Sequence, residues 1–251
     1  MAKVAVILPA AGRSSRFGGP KKKVFCELDG RPIWLRSLDP FLQHPEVVQR
    51  ILVLSPDDLD SFREHYAGHL AFLDLELVPG GAERADSVQA GLARVRQDVE
   101  LVAVHDAARP LVTEQAITAV FASAIKTGAA ILAEPITSTL KRVVAGSEAS
   151  VEGPVIEATV SRERLWAAQT PQVFRRDWLL EAYARREGFV ATDEAQLVER
   201  AGYAVHLVPG SPTNIKVTSQ EDLKTATLFW KQRQQRSSRD RLSALMDDDD
   251  E

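Results

Sequence analysis

Cysteine is nearly missing: Cys26 is the only one in 251 residues. One thiol cannot close an internal disulfide, which excludes a disulfide-stapled extracellular scaffold and favours a reducing, cytoplasmic setting. No apolar run approaches the roughly 18 residues of a membrane span, so no membrane partner is expected. Neither sign of charge dominates the body of the chain. The formal net charge is −4, but the last five residues, DDDDE at 247–251, supply −5, so the 246 residues before them sum to +1. A near-neutral body lacks the basic face of a nucleic-acid binder, and the acidic end reads as a solvated tail. Familiar catalytic signatures are also missing: no G-x-S-x-G elbow, no G-K-[ST] of a P-loop and no G-x-G-x-x-G dinucleotide fingerprint. The last gap argues against a nicotinamide dehydrogenase. His65 and His69 stand four apart without the glutamate of a zinc-protease motif, and are expected on the surface of a helix.

What is present is an ordinary globular composition, 45% hydrophobic and 26% charged, which excludes wholesale disorder. The first apolar run, Val4–Leu8, ends at Pro9 and is followed by Arg13 and Arg16. It is too short for the core of a signal peptide and reads as a buried first strand. Further strands are expected at Val47–Leu54, Leu75–Val78, Leu101–His105, Ala129–Ala133 and Tyr203–Val208. Helical spacing lies between them at Ile33–Leu42, Glu83–Arg96, Glu114–Lys126 and Arg176–Arg186. Strands that are apolar throughout, alternating with helices, predict a doubly wound α/β fold with a mostly parallel sheet covered on both faces. The stretch 137–159 breaks the alternation. Its β-branched residues and glycines predict a protruding β-hairpin arm, hard to bury within one subunit and suited to a second copy of the chain. A last amphipathic helix is expected at Gln220–Gln235. The expected organisation is one domain over 1–236, including the arm, with a polar and acidic tail over 237–251.

In such folds ligands sit beyond the carboxyl ends of the strands. The loop after the first strand, PAAGRSSRFGGPKKK, combines Ala10, Ala11 and Gly12, which let backbone N–H groups approach a phosphate, with five cations. Arg13, Arg16, Lys21, Lys22 and Lys23 together suit a triphosphate. The second loop, GGAERADSVQAGL, brings two glycines to a helix start and carries Ser87; a plain capped turn is the competing reading. The third, VHDAARP, places Asp106 at a strand end, where it can bind a sugar hydroxyl, a base or a metal-bound water. Arg109, three residues on, is equally a local ion-pair partner, and His105 reads as a satisfied structural histidine. Arg162 in TVSRERLWAAQTPQ and Lys216 in NIKVT are isolated cations among apolar residues, which suggests partly buried anions. Surface exposure is the competing fate for both.

Taken in order, PAAG-x-x-x-R, the lysine before ELDGRP, GGAERADSV, HDAARP, TSTLK, TVSRERLWAAQTPQ, TDEA and NIKVT resemble the 2-C-methyl-D-erythritol 4-phosphate cytidylyltransferase family, from Val4 to about Leu223. The resemblance implies a Rossmann-like nucleotidyltransferase that moves CMP from CTP to a polyol phosphate and releases pyrophosphate in isoprenoid precursor biosynthesis, using Mg²⁺ held mainly by the CTP phosphates. It implies that Arg16 and Lys23 stabilise the α-phosphate, with Arg162 and Lys216 completing the catalytic set by aiming the substrate phosphate. It assigns Ala10, Ala11, Gly12, Gly81, Ser87, Asp106 and Ala107 to the nucleotide. Arg109, Thr139, Thr170 and Thr192 fall to the polyol phosphate, and the arm to a homodimer. The chain departs from the family pattern at Ser14, Lys22, Val24, Ala82 and Ser138. Three consecutive lysines leave the register open, with the spacing to Leu28–Gly30 favouring Lys23 over Lys22. A ribitol-5-phosphate cytidylyltransferase and a non-catalytic nucleotide-binding regulator are the rival readings.

Overall fold

The computed structural model describes residues 1–12, 17, 22–148 and 151–247, with side chains as far as residue 236. Its centre is a seven-stranded sheet built from β1 (Val4–Pro9), β4 (Val47–Leu54), β5 (Leu75–Pro79), β6 (Leu101–Val104), β7 (Ala129–Pro135), β10 (Trp166–Arg175) and β11 (His206–Pro209). The strand order is β11-β7-β10-β6-β1-β4-β5. β1 pairs in parallel with both β4 and β6, Ile7 facing Ile51 on one side and Val104 on the other. Two short strands, β2 (Glu27–Leu28) and β3 (Arg31–Pro32), form a tight hairpin. Its two turn residues, Asp29 and Gly30, both have positive φ, 53° and 73°. That is the Asp-Gly chemistry of a two-residue hairpin.

Helices α1 (Ile33–Leu42), α2 (Leu59–Leu73), α3 (Arg84–Leu92), α4 (Glu114–Thr127), α5 (Arg176–Ala184) and α6 (Glu194–Arg200) cover the sheet, and α7 (Gln220–Asp247) packs beside the β2–β3 hairpin. Along β1 the side chains alternate between two cores. Val4, Val6 and Leu8 join the layer containing Trp34, Phe41 and Phe121, whereas Ala5 and Ile7 join the layer of Val88, Phe174 and Leu179. Burial on both faces is why the strand reads as a continuous apolar run. Local signals fix the helix ends. Thr113 Oγ1 accepts from the Ala116 N–H at the start of α4, and Gly128, at φ 90°, closes its end.

One strand was not predicted and three expectations need correction. Trp166–Arg175 is a sheet strand, antiparallel to both β6 and β7. Its apolar stretch is interrupted by polar Gln169, Thr170 and Gln172, which are buried and hydrogen-bonded and so hid the strand. The helix expected over Glu83–Arg96 stops at Leu92, and the last strand runs over His206–Pro209 instead of Tyr203–Val208, Tyr203 being stacked on Trp178 with ring centroids 4.2 Å apart. The last helix continues past Gln235 to Asp247, through most of the expected tail; residues 248–251 lie outside the described residues. Within the stretch expected to form the arm, β8 (Leu140–Val143) pairs antiparallel with β9 (Ile156–Val160) in a sheet of its own.

Candidate active site

A cleft of about 880 Å³ opens where β1, β4, β5 and β6 end. Parallel pairing puts these four carboxyl ends on one edge, and the cleft takes its walls from the loops that follow them. Backbone bonds join the loops at their roots: the Ala10 N–H donates to Val53 O and the Gly80 N–H to Leu54 O, both at 2.7 Å. Gly80 is required by this contact, because a Cβ there would lie 2.7 Å from Ala11 Cβ and 2.8 Å from Ser87 Oγ. Ser87 Oγ accepts from the Gly81 N–H at 3.2 Å and donates to Glu83 O at 3.1 Å, so it shapes the second loop.

Asp106, 6% exposed, is the electrostatic centre of the cleft floor. Arg84 Nη2 lies 3.2 Å from its Oδ1, Lys216 Nζ 2.7 Å from its Oδ2, and Arg109 Nε 3.7 Å from Oδ2. Burial alone would raise this carboxyl; Arg84, Lys216 and Arg109 together overcome burial and hold it below the ordinary aspartate value. The local Asp106–Arg109 pair is thus the longest of three. Arg109 chiefly donates to Asn214 O, at 2.7 Å from Nη1.

A second layer braces the floor. The Asp106 N–H donates to Thr170 Oγ1, which lies 3.0 Å from His105 Nδ1, and His105 Nε2 lies 3.1 Å from Arg109 O. A carbonyl only accepts, so Nε2 carries the ring proton, Nδ1 accepts, and the Thr170 hydroxyl donates to it. Burial pushes His105 down to about 4, which keeps the ring neutral and this chain of bonds intact. His105 is therefore the satisfied structural histidine expected. Asn214 Nδ2 donates to Thr170 O at 3.0 Å, and the Val217 N–H to Ala108 O at 2.8 Å. These bonds carry Lys216 to Asp106.

Of the residues singled out from sequence, Ala10, Ala11, Gly12, Lys23, Gly81, Ser87, Asp106, Ala107 and Lys216 line the cleft. Lys22 lines it too, but its ammonium sits 2.6 Å from Asp58 Oδ2. Thr170 and Arg109 lie in the bracing layer. Thr139 and Arg162 are exposed on the arm and its flank, where the Arg162 guanidinium donates to Thr137 O; Thr192 is exposed and bonds Gln196 Oε1. Arg13, Arg16, Ser14 and Lys21 lie outside the described residues. Missed from sequence were Arg84, which lines the cleft, and the buried Glu194 behind it, whose Oε1 and Oε2 accept from Arg84 Nη1 at 2.8 and 3.0 Å. A sequence signal for Arg84 existed. It opens α3, and a cation at a helix N-terminus is disfavoured by the helix dipole unless counter-charges hold it.

An open α/β sheet whose strand ends present small-residue loops, cations and one buried aspartate to a single cleft has the layout of a nucleotide-binding α/β enzyme. The comparisons with known proteins sharpen this. A profile of 2-C-methyl-D-erythritol 4-phosphate cytidylyltransferases matches residues 4–232, and the chain belongs to that family. The protein of that name from Rhodopirellula baltica is 44% identical over 237 residues, 90% of this chain and 93% of its own. The one from Solibacter usitatus is 41% identical over 245 residues, 94% of this chain and 99% of its own. Among solved structures, the cytidylyltransferase from Thermus thermophilus superimposes with a TM-score of 0.72 at 33% identity, covering 90% of this chain and 98% of its own.

Proposed function

We propose that the cleft carries out the reaction for which the family is named: transfer of CMP from CTP to 2-C-methyl-D-erythritol 4-phosphate, giving the CDP-polyol and pyrophosphate. A substrate phosphate oxygen forms the new bond to the α-phosphorus, and the bond to the β-phosphate oxygen breaks, its electron pair leaving with pyrophosphate. The nucleophile is already anionic, so no protein base or covalent residue is needed. The protein's contribution is positioning and electrostatic stabilisation. Ala10, Ala11 and Gly12 line the nucleotide, Gly81 and the Ser87-shaped loop receive the base, and Asp106 and Ala107 face the ribose. Arg16 and Lys23 offset charge on the α-phosphate, and Lys216 takes the phosphate of the polyol. The observation that carries this reading is the convergence of Lys216 and Arg84 on Asp106 beside the Ala10–Gly12 loop.

Mg²⁺ fits this site as an ion carried by the triphosphate. Among the described residues no group of three or more His, Cys, Asp or Glu could hold a metal ion, and both Asp106 oxygens are engaged by cations. When bound, the ion supplies further neutralisation of the phosphates. Arg162 and Thr139 reach the polyol only through a second subunit in this reading, and Thr192, before α6, is offered by the body of the chain. The arm supports a homodimer, because its Val155 and Ile156 are 57% and 58% exposed, and Trp166, at the near end of β10, is 40% exposed. The single cysteine suits the cytoplasm, and no helix among the described residues is long and apolar enough to cross a membrane.

The test is pyrophosphate release with CTP and 2-C-methyl-D-erythritol 4-phosphate, with ribitol 5-phosphate in parallel. Release with the first and not the second is expected; the reverse preference overturns the substrate assignment, and silence with both overturns the activity. Lys23→Ala is expected to lower turnover by about 10²–10³, and turnover near wild type removes Lys23 from the mechanism.

A further inference from the structure

The Arg84–Glu194 pair has no part in the reaction as written, yet it reaches the centre of the cleft. Arg84 Nη1 is clamped by both oxygens of Glu194, which is 1% exposed and also accepts from Tyr183 Oη at 3.2 Å. The other edge of the same guanidinium, Nε and Nη2, meets Asp106 Oδ1 at 3.3 and 3.2 Å. Lys216 holds the remaining oxygen, Oδ2, at 2.7 Å. The two oxygens of Asp106 are thus divided between differently secured cations. Arg84 is tied from behind by a second, buried carboxylate. Lys216 is about one-third exposed at the cleft, and its one ion pair among the described residues is with Asp106.

A lysine cannot serve Asp106 and a substrate phosphate with its full charge at once. Moving Lys216 to a phosphate leaves Asp106 buried with one cation fewer, and an uncompensated buried carboxylate is strongly unfavourable. Arg84 removes that obstacle only if it stays. At the N-terminus of α3 it faces an unfavourable dipole, and triphosphate oxygens nearby would attract its fork-shaped donors. Glu194 opposes both, gripping the guanidinium from the side away from the cleft.

We propose that Arg84, anchored by Glu194, is a positioning residue that keeps Asp106 fixed and neutralised while Lys216 leaves it for the phosphate of the polyol substrate. Asp106 is then the resting counter-ion of Lys216, and Arg84 sets how readily Lys216 is released. The inference rests on the function proposed above.

The experiment is steady-state pyrophosphate release by Arg84→Met/Glu194→Leu, which removes both charges and so leaves no orphan buried ion, in the wild-type and Asp106→Asn backgrounds. With Arg84 gone, Lys216 is bound more tightly by Asp106. The KM for 2-C-methyl-D-erythritol 4-phosphate should rise about tenfold, the KM for CTP should move by less than about twofold, and thermal stability should hold. In the Asp106→Asn background the same double change should leave both KM values within about twofold. Glu194→Gln, which keeps the shape of the side chain, should shift the polyol KM in the same direction by less, and serves if the double variant does not fold. An unchanged polyol KM, equal rises in both KM values, or the same rise without the Asp106 charge overturns the inference. A wild type that turns over no polyol phosphate overturns the functional reading itself. A wild type that is active beside variants with unaltered KM overturns this inference alone.

Discussion

Lys216 and Arg162 are the two candidate cations for a substrate phosphate, and the fold gives them opposite surroundings. Lys216 is brought against a buried carboxylate in a cleft whose loops are cross-linked by Thr170, His105 and Asn214. Arg162 lies exposed beside a two-stranded hairpin that has no helix layer of its own, bonded to a nearby carbonyl. The cleft is organised by one chain acting on itself, because the sheet beneath it is closed on both faces. The arm has side chains of the right chemistry but no core to aim them. A site assembled from both regions therefore depends on whatever lies against the arm.

The sharpest way to break this contrast is to test whether the arm acts across subunits. Arg162→Ala alone is expected to cost about a hundredfold in rate, on the scale of a lost charge-stabilising donor. Mixing it with Lys23→Ala and allowing subunits to exchange should then restore about a quarter of wild-type activity, since half the dimers are mixed and each holds one intact site. No recovery on mixing would confine the arm to its own chain.

The bracing of the cleft should appear in the pH dependence of stability. His105 has an ordinary value of 6.5 and a folded value near 4. Between these the unfolded chain binds a proton that the folded chain refuses, so stability is full above pH 6.5 and declines as pH falls towards 4. The decline is about 3 kcal/mol for this ring. Urea unfolding of His105→Asn against wild type across this range should show a flatter profile in the variant; parallel profiles would assign the decline to other groups.

Close packing of the cleft loops predicts a further asymmetry. Gly80→Ala places a methyl under 3 Å from Ala11 and Ser87, with an expected loss of about 1–3 kcal/mol and a raised KM for CTP. Gly68, inside α2, has no atom within 4 Å of the corresponding position and no left-handed φ. If both glycines tolerated alanine equally in thermal melts, the loops would be looser than their contacts imply. The smallest effect belongs to the arm: Arg142 pairs with Glu157 at 3.1 Å, both side chains more than half exposed. Arg142→Ala should change stability by about 0–1 kcal/mol, and a larger change in chemical denaturation would mean that the hairpin is packed against something in solution.

Much of this arrangement was legible before folding. The strand at Val47–Leu54 and the helix at Ile33–Leu42 have the bounds their periodicity predicts, because each buries a regular apolar pattern. β10 was hidden by Gln169, Thr170 and Gln172. Polar residues signal a loop unless their partners are known, and here the partners are Ser211, His105 and Asp193. The cleft residues Ala10–Gly12 and Asp106 were readable from their places just after apolar runs, whereas Lys23 was singled out from its neighbours only by the family resemblance and the spacing to Leu28–Gly30. Arg84 and Glu194 were not, although both lie within quoted motifs, since a motif names residue types without saying which charges meet.

The order of strands and helices, the small-residue loops and the supply of cations follow from local pattern, because burial and backbone freedom act over a few neighbouring residues. Which cation faces which carboxylate was decided only by the folded chain. Arg84 finds Asp106 and Glu194 at separations of 22 and 110 residues, and charges that distant in sequence acquire an interaction energy only once the sheet has brought their strand ends together and removed the water between them.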